Sequence, residues 1–206
     1  MSQKFGTRRE KAKEETRRII LESAYTLFEE KGYEKATMRE LAARAGVGLG
    51  TIFQHFSNKP ALLIATFYEE MRPEVETALA TAPDKGLKAQ LLHLIRHIFG
   101  FYARRIRLSR VLIKEILFLE GESAENIKQL ESEYLERLNI LFTAAAARGE
   151  LHEAVDIPDA VTAFWSYYSC ILIEEINAPT FDINGRVEQL GRLIDQLFNG
   201  IGRSSG

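Results

Sequence analysis

The sequence predicts an all-α chain of about nine helices: an N-terminal helix-turn-helix domain of three helices, followed by a helical body. Three observations carry this. Apolar residues return at three- and four-residue spacing along most of the chain, and no segment alternates convincingly with period two. Glycine and proline fall where such stripes end, at Gly32, Gly46, Pro60, Gly86, Gly121, Gly149, Pro158, Pro179 and Gly200. With 206 residues and 46% hydrophobic content, the chain can bury a substantial core.

Residues 1–15, MSQKFGTRREKAKEE, are charged and poor in apolar groups, which predicts a flexible basic arm. Lys4, Arg8, Arg9, Lys11 and Lys13 suit either a minor-groove contact or a plain solubilising role. A first helix is expected from Glu10 or Thr16 to Lys31, on a stripe of Ile20, Ala24, Leu27 and Phe28. Thr37 and Glu40 have the spacing of a capping box and open a second helix, Thr37 to Arg44. Met38, Leu41, Ala42 and Ala45 share its inner face. Gly46 stands where a left-handed C-terminal residue is needed. A third helix, about Gly48 to Phe56, turns Ile52 and Phe56 inward and Thr51, Gln54 and His55 outward. Two short helices around a glycine turn form a helix-turn-helix, whose second helix fits the DNA major groove.

This segment strongly resembles the amino-terminal domain of TetR-type transcriptional repressors. The resemblance rests on Thr37, Ala45-Gly46-Val47, Gly50-Thr51-Ile52-Phe53-Gln54-His55-Phe56 and Lys59. It implies that Thr37 offers its hydroxyl and N–H to a phosphate, that Gly50 allows close backbone approach, and that Thr51 touches phosphate or a thymine methyl. His55 and Lys59 would meet phosphates. Gln54 is the side chain best suited to read a base, since its amide pairs bidentately with adenine. Gly48, Leu49 and Phe53 depart from the family's frequent Ser, Lys and Tyr, so Gly48 caps less well, and the phosphate-binding groups of Lys and Tyr are missing.

The DNA-binding domain is expected over residues 16–60, a ligand-binding and dimerisation domain over 61–201, and a flexible tail over 202–206. Asn58 to Thr81 is one long helix in which Pro73 should produce a kink or break after Met71. Further helices are expected over Leu87–Tyr102, Arg105–Glu120, Ser123–Arg148, Pro158–Asn177 and Asp182–Asn199. The resemblance implies a ligand cavity in this body, with the last two helices pairing with their twins in a homodimer. The pocket candidates are Phe67, Met71, His97, Phe101, Tyr134, Trp165 and Tyr168, facing a small hydrophobic or aromatic effector. The candidates for the dimer interface are Phe164, Ile171, Leu190, Leu193 and Leu197.

Charge is distributed unevenly. Residues 1–59 hold 12 Lys/Arg against 8 Asp/Glu, and the rest hold 15 against 21, so a basic end on an acidic body fits one end meeting double-stranded DNA. The lone Cys170 excludes an internal disulfide and suits a reducing cytoplasm; set in an apolar helix, it reads as a buried, inert thiol. No apolar run reaches the roughly 20 residues of a membrane span. His93 and His97 share a helical face but lack a third ligand, so no metal or other cofactor is expected. No catalytic constellation is visible, which disfavours the alternative of an all-helical enzyme; an adaptor carrying a helix-turn-helix is the other alternative. The expected function is a ligand-responsive repressor that leaves a near-palindromic operator when its effector binds.

Overall fold

A computed structural model describes residues 8–200 of the chain. Among these residues the regular structure is entirely helical. The expectations for the first seven residues, including Lys4, and for residues 201–206 lie outside the described residues. The helices are α1 (Arg8–Lys31), α2 (Met38–Ala45), α3 (Leu49–His55), α4 (Lys59–Ala80), α5 (Gly86–Arg104), α6 (Ile106–Leu117), α7 (Gly121–Ala147), α8 (Ile157–Ile176) and α9 (Ile183–Asn199). They form two compact units: the chain up to Glu70 with Val111–Ile127, and Met71–Arg110 with the chain from Lys128 onward.

In the first unit, α1 packs on α2 and α2 on α3. Ile20, Ala24, Leu41, Ile52 and Leu62 are among its most deeply buried side chains. The capping box forms as expected: Glu40 N–H donates to the Thr37 hydroxyl (3.2 Å), and Thr37 N–H donates to the Glu40 carboxylate (3.1 Å). Gly46 closes α2 at φ 67°, a left-handed conformation that a β-carbon would strain. Its N–H meets the last carbonyls of α2, so the chain turns at once into α3.

Two expectations need correction. The helix α1 starts at Arg8, so Arg8, Arg9, Lys11 and Lys13 ride on a helix rather than in a flexible arm. Side-chain pairs at three- and four-residue spacing, such as Arg18 with Glu15 (2.6 Å) and with Glu22, support a helix that buries nothing before Ile20. Nor does Pro73 break α4. The ring removes one i→i−4 hydrogen bond, but the helix runs through it, with Met71 and Val75 buried on either side. Asn58 caps its start by accepting from Ala61 N–H at 2.8 Å, with Pro60 in the first turn.

In the second unit, α9 packs against α5 and α8. Leu91, Phe99, Phe142, Phe164, Leu190 and Ile194 form the centre of its core. The turn between α8 and α9 is held by Glu175, only 2% exposed, which accepts from Asp182 N–H and pairs with Arg186. Arg110 donates to the Ile176 and Ala178 carbonyls at the end of α8 (2.8 and 2.9 Å), satisfying oxygens the helix leaves open.

Candidate nucleic-acid interface and ligand cavity

The outward face of α3 consists of Gly50, Phe53 and Gln54, at i, i+3 and i+4, all exposed. Ile52 and Phe56 are buried beneath it. Phe53 is 49% exposed, an aromatic ring presented beside the Gln54 amide. A β-carbon on Gly50 would meet nothing within 4 Å, so the helix surface there is open to close approach. Gly48 sits at the N-cap with no side-chain hydrogen bond to the helix.

The remaining candidates on this face are more engaged than their residue types suggest. The Thr37 hydroxyl and N–H are both occupied in the capping box, so a phosphate would have to compete with Glu40 for them. Thr51 is half-buried. His55 is half-buried beside Phe56, and burial, followed by the charges of Lys13 and Arg17, lowers its pKa below the ordinary histidine value. Lys59 lies with its ammonium 4.2 Å from the centre of the Tyr33 ring and donates to the Glu34 carbonyl (3.4 Å). Burial also lowers the Lys59 pKa, against the pull of Glu34 and Glu115. This lysine therefore anchors the connector ahead of α2 in the unbound chain, through a cation–π contact.

The second unit contains an apolar cleft of about 390 Å³ counted out to its mouth, of which about 30 Å³ is enclosed space for solvent. Val75, Leu79, Leu94, Ile98, Leu138 and Phe164 supply much of the apolar wall. Tyr134, Trp165 and Tyr168 line it; the rings of Trp165 and Tyr168 lie 5.3 Å apart, tilted against each other. Phe67, Met71, His97 and Phe101 are not among its lining side chains. Phe67, Met71 and Phe101 are core residues, and the Phe101 ring carries the Arg105 guanidinium at 4.3 Å. His97 instead faces Glu74 at 3.8 Å.

Sequence reasoning missed Arg137, a half-buried side chain that joins the almost wholly apolar lining of the cleft through its methylene stem. Its signal was available: it stands three residues after Tyr134 and so shares that helical face. Close to the cleft, burial pushes the Tyr102 hydroxyl up to about 12, with Tyr168 as its hydrogen-bond partner.

The dimer candidates divide by burial. Phe164, Ile171 and Leu190 are buried within a single chain, packed into its own core rather than turned outward. Leu193 and Leu197 are half-exposed. The outward row of α8 is instead Thr162, Ser166, Cys170, Ile173 and Asn177. Cys170 is thus exposed, contrary to its reading as a buried thiol.

His93 and His97 lie with ring centres 4.8 Å apart. The Thr81 hydroxyl is 2.7 Å from the Thr77 carbonyl and 3.0 Å from His93 Nε2, so it donates to the former and accepts from the latter. Among the described residues, no three His, Cys, Asp or Glu side chains are grouped to hold a metal. No described helix is long and apolar enough to cross a membrane.

Residues 20–66 match the family of bacterial regulatory proteins of the tetR type, and residues 84–171 match the tetracyclin repressor-like C-terminal domain. The probable HTH-type transcriptional regulator YttP of Bacillus subtilis is 29% identical over 138 residues, 66% of this chain and 65% of that protein. The chain therefore spans less than two thirds of that relative's length. The fatty acid metabolism regulator protein of the same organism is 29% identical over 67% of this chain and 72% of its own length. Among solved structures, FadR of Bacillus subtilis, crystallised with stearoyl-CoA, superposes with a TM-score of 0.68 at 25% identity, covering 89% of this chain and 98% of that one. FadR of Thermus thermophilus, with lauroyl-CoA, shares the fold at a TM-score of 0.75 and 19% identity over 92% and 97% of the two chains. Matches to both domains of the family, a capping box leading through Gly46 into an exposed recognition face, and relatives that are regulators rather than enzymes lead to one assignment: the chain belongs to the TetR family of bacterial transcriptional regulators.

Proposed function

We propose that this regulator is a ligand-responsive repressor, released from a near-palindromic operator by an apolar effector with an anionic head. The observation that carries the ligand class is the cleft of the second unit: an apolar and aromatic wall to which Arg137 contributes its methylene stem. An acyl chain suits the wall, and the guanidinium carried on that stem would meet a carboxylate or phosphate outside it. Fatty acyl-CoA is the leading candidate, since the similar FadR of Bacillus subtilis was crystallised with stearoyl-CoA. A homodimer suits this function because one recognition helix reads too few base pairs, and two-fold symmetry matches a palindrome. Leu193 and Leu197 on α9, with the outward row of α8, are the surfaces available for it. Gln54 reads a base, and Phe53 offers its ring to a thymine methyl.

Selection of binding sites from random duplex DNA should enrich a near-palindrome. Stearoyl-CoA should then dissociate the complex, and Arg137→Ala should weaken that response while leaving operator binding intact. Release that is indifferent to Arg137 would remove the anionic head from the proposal. Replacing Gln54 by Ala should flatten base preference at one position of each half-site by about 1–3 kcal/mol, read as the ratio of affinities across single-base operator variants. An unchanged ratio would assign base reading to another side chain.

A further inference from the structure

The amino-terminal half of α1 is an unusual piece of helix. It extends from Arg8 to the first buried residue, Ile20, exposed or half-exposed throughout. Arg9, Lys13 and Arg17 recur every fourth residue along it, so their Cα atoms climb about 6 Å per step on one side of the helix. The next residue in that row is Leu21, which is buried. The row is therefore an outward continuation of the face that α1 turns toward its own unit.

One contact and one electrostatic influence show where this row leads. The Arg17 guanidinium lies 5.6 Å from the centre of the Phe56 ring, at the C-cap of α3. The neighbouring His55 imidazole feels the charges of Lys13 and Arg17, opposed by Glu14. Lys13 and Arg17 are thus grouped at the end of the recognition helix, with Arg9 one step further along the row. They are also unneutralised. Arg18, one residue from the row, is held by Glu15 and Glu22, whereas Arg9, Lys13 and Arg17 have no carboxylate partner among the described residues. A helix that pairs its charges on one side and leaves three cations in line on the other presents the complement of a phosphate backbone.

We propose that Arg9, Lys13 and Arg17 form a phosphate rail that, with His55, grips the DNA backbone alongside the groove entered by α3. It adds affinity without reading sequence, and it offsets the phosphate contacts that Leu49 and Phe53 do not supply. The rail rests on the reading of α3 as the groove-binding helix. It differs from a minor-groove arm because a helix about 10 Å across is too wide for a groove about 6 Å across.

The test compares the full-length parent with Arg9→Gln/Lys13→Gln on its selected operator and on a scrambled duplex, by fluorescence anisotropy over a series of salt concentrations. Arg17 is left in place because it also packs on Phe56. Each phosphate contact removed should reduce the slope of log affinity against log salt by about 0.9, hence about 1.8 per bound protomer. Affinity should fall on both duplexes alike, with the operator-to-scrambled ratio and the thermal midpoint of the free protein unchanged. A double variant with the parent's slope would overturn the rail. So would a loss confined to operators with A·T-rich flanks, which would indicate minor-groove insertion. A parent that bound neither duplex would instead remove the DNA-binding reading of α3, and the rail with it.

Discussion

Replacing Phe164 by Ala should lower the unfolding free energy by about 3–5 kcal/mol, a large share of the roughly 5–15 kcal/mol available to a folded protein. The ring is 1% exposed, lies 6.3 Å from that of Phe142, and forms part of the wall of the cleft. Removing it forfeits the burial of an aromatic side chain and enlarges a void that already exists, so the walls have little with which to close it. Urea denaturation should show a lower midpoint with an unchanged slope. The deficit relative to the parent should be the same at protein concentrations tenfold apart, because the Phe164 ring packs against side chains of its own chain. A deficit that appeared only on dilution would return Phe164 to the subunit interface.

Replacing Glu175 by Ala should cost about 3 kcal/mol, near the lower end for breaking a buried ion pair. The carboxylate is 2% exposed and serves two donors, the Asp182 N–H and the Arg186 guanidinium. The truncation strips both at the point where the chain turns from α8 into α9. Arg186 retains Gln189 (2.8 Å) and Glu174 (3.4 Å) and its side chain is 27% exposed, so water and these neighbours screen part of the loss. Glu175→Gln, which keeps an acceptor for Asp182, should cost less. Thermal unfolding of the two variants orders them; equal losses would mean that the charge contributes nothing beyond the hydrogen bond.

The helix-turn-helix was legible because its signals are local. Thr37 and Glu40 are three residues apart, and Gly46 needs only its own backbone geometry, so no distant partner had to be inferred. The same holds for the helical class, which follows from spacing alone. What sequence alone left open depended on partners far away in sequence. Lys59 reads as a phosphate contact until Tyr33, 26 residues earlier, takes its ammonium. Phe164, Ile171 and Leu190 are apolar on faces that must be covered, but hydrophobicity does not say whether the cover is the same chain or a second copy. The beginning of α1 was misjudged for a different reason. A charged segment low in apolar residues resembles a disordered one, and pairing such as that of Arg18 with Glu15 and Glu22 is what separates the two. In the cleft, Tyr134, Trp165 and Tyr168 were recognisable as aromatics with polar tips, whereas His97 and Phe101 of α5 do not reach its wall.

The cleft would also set the tempo of the proposed response. Only about 30 Å³ of it admits the centre of a water molecule, so the proposed acyl guest would seat fully only after side chains of the wall move apart. Its apparent dissociation constant is then the intrinsic value divided by the fraction of molecules open at any moment. Association should level off at high ligand concentration, at the rate of opening rather than of encounter. Core substitutions that loosen Val75, Leu138 or Trp165 would raise sensitivity at the expense of stability. For the effector proposed above, the narrowness of the cleft would act as a threshold, keeping the regulator deaf to traces of it.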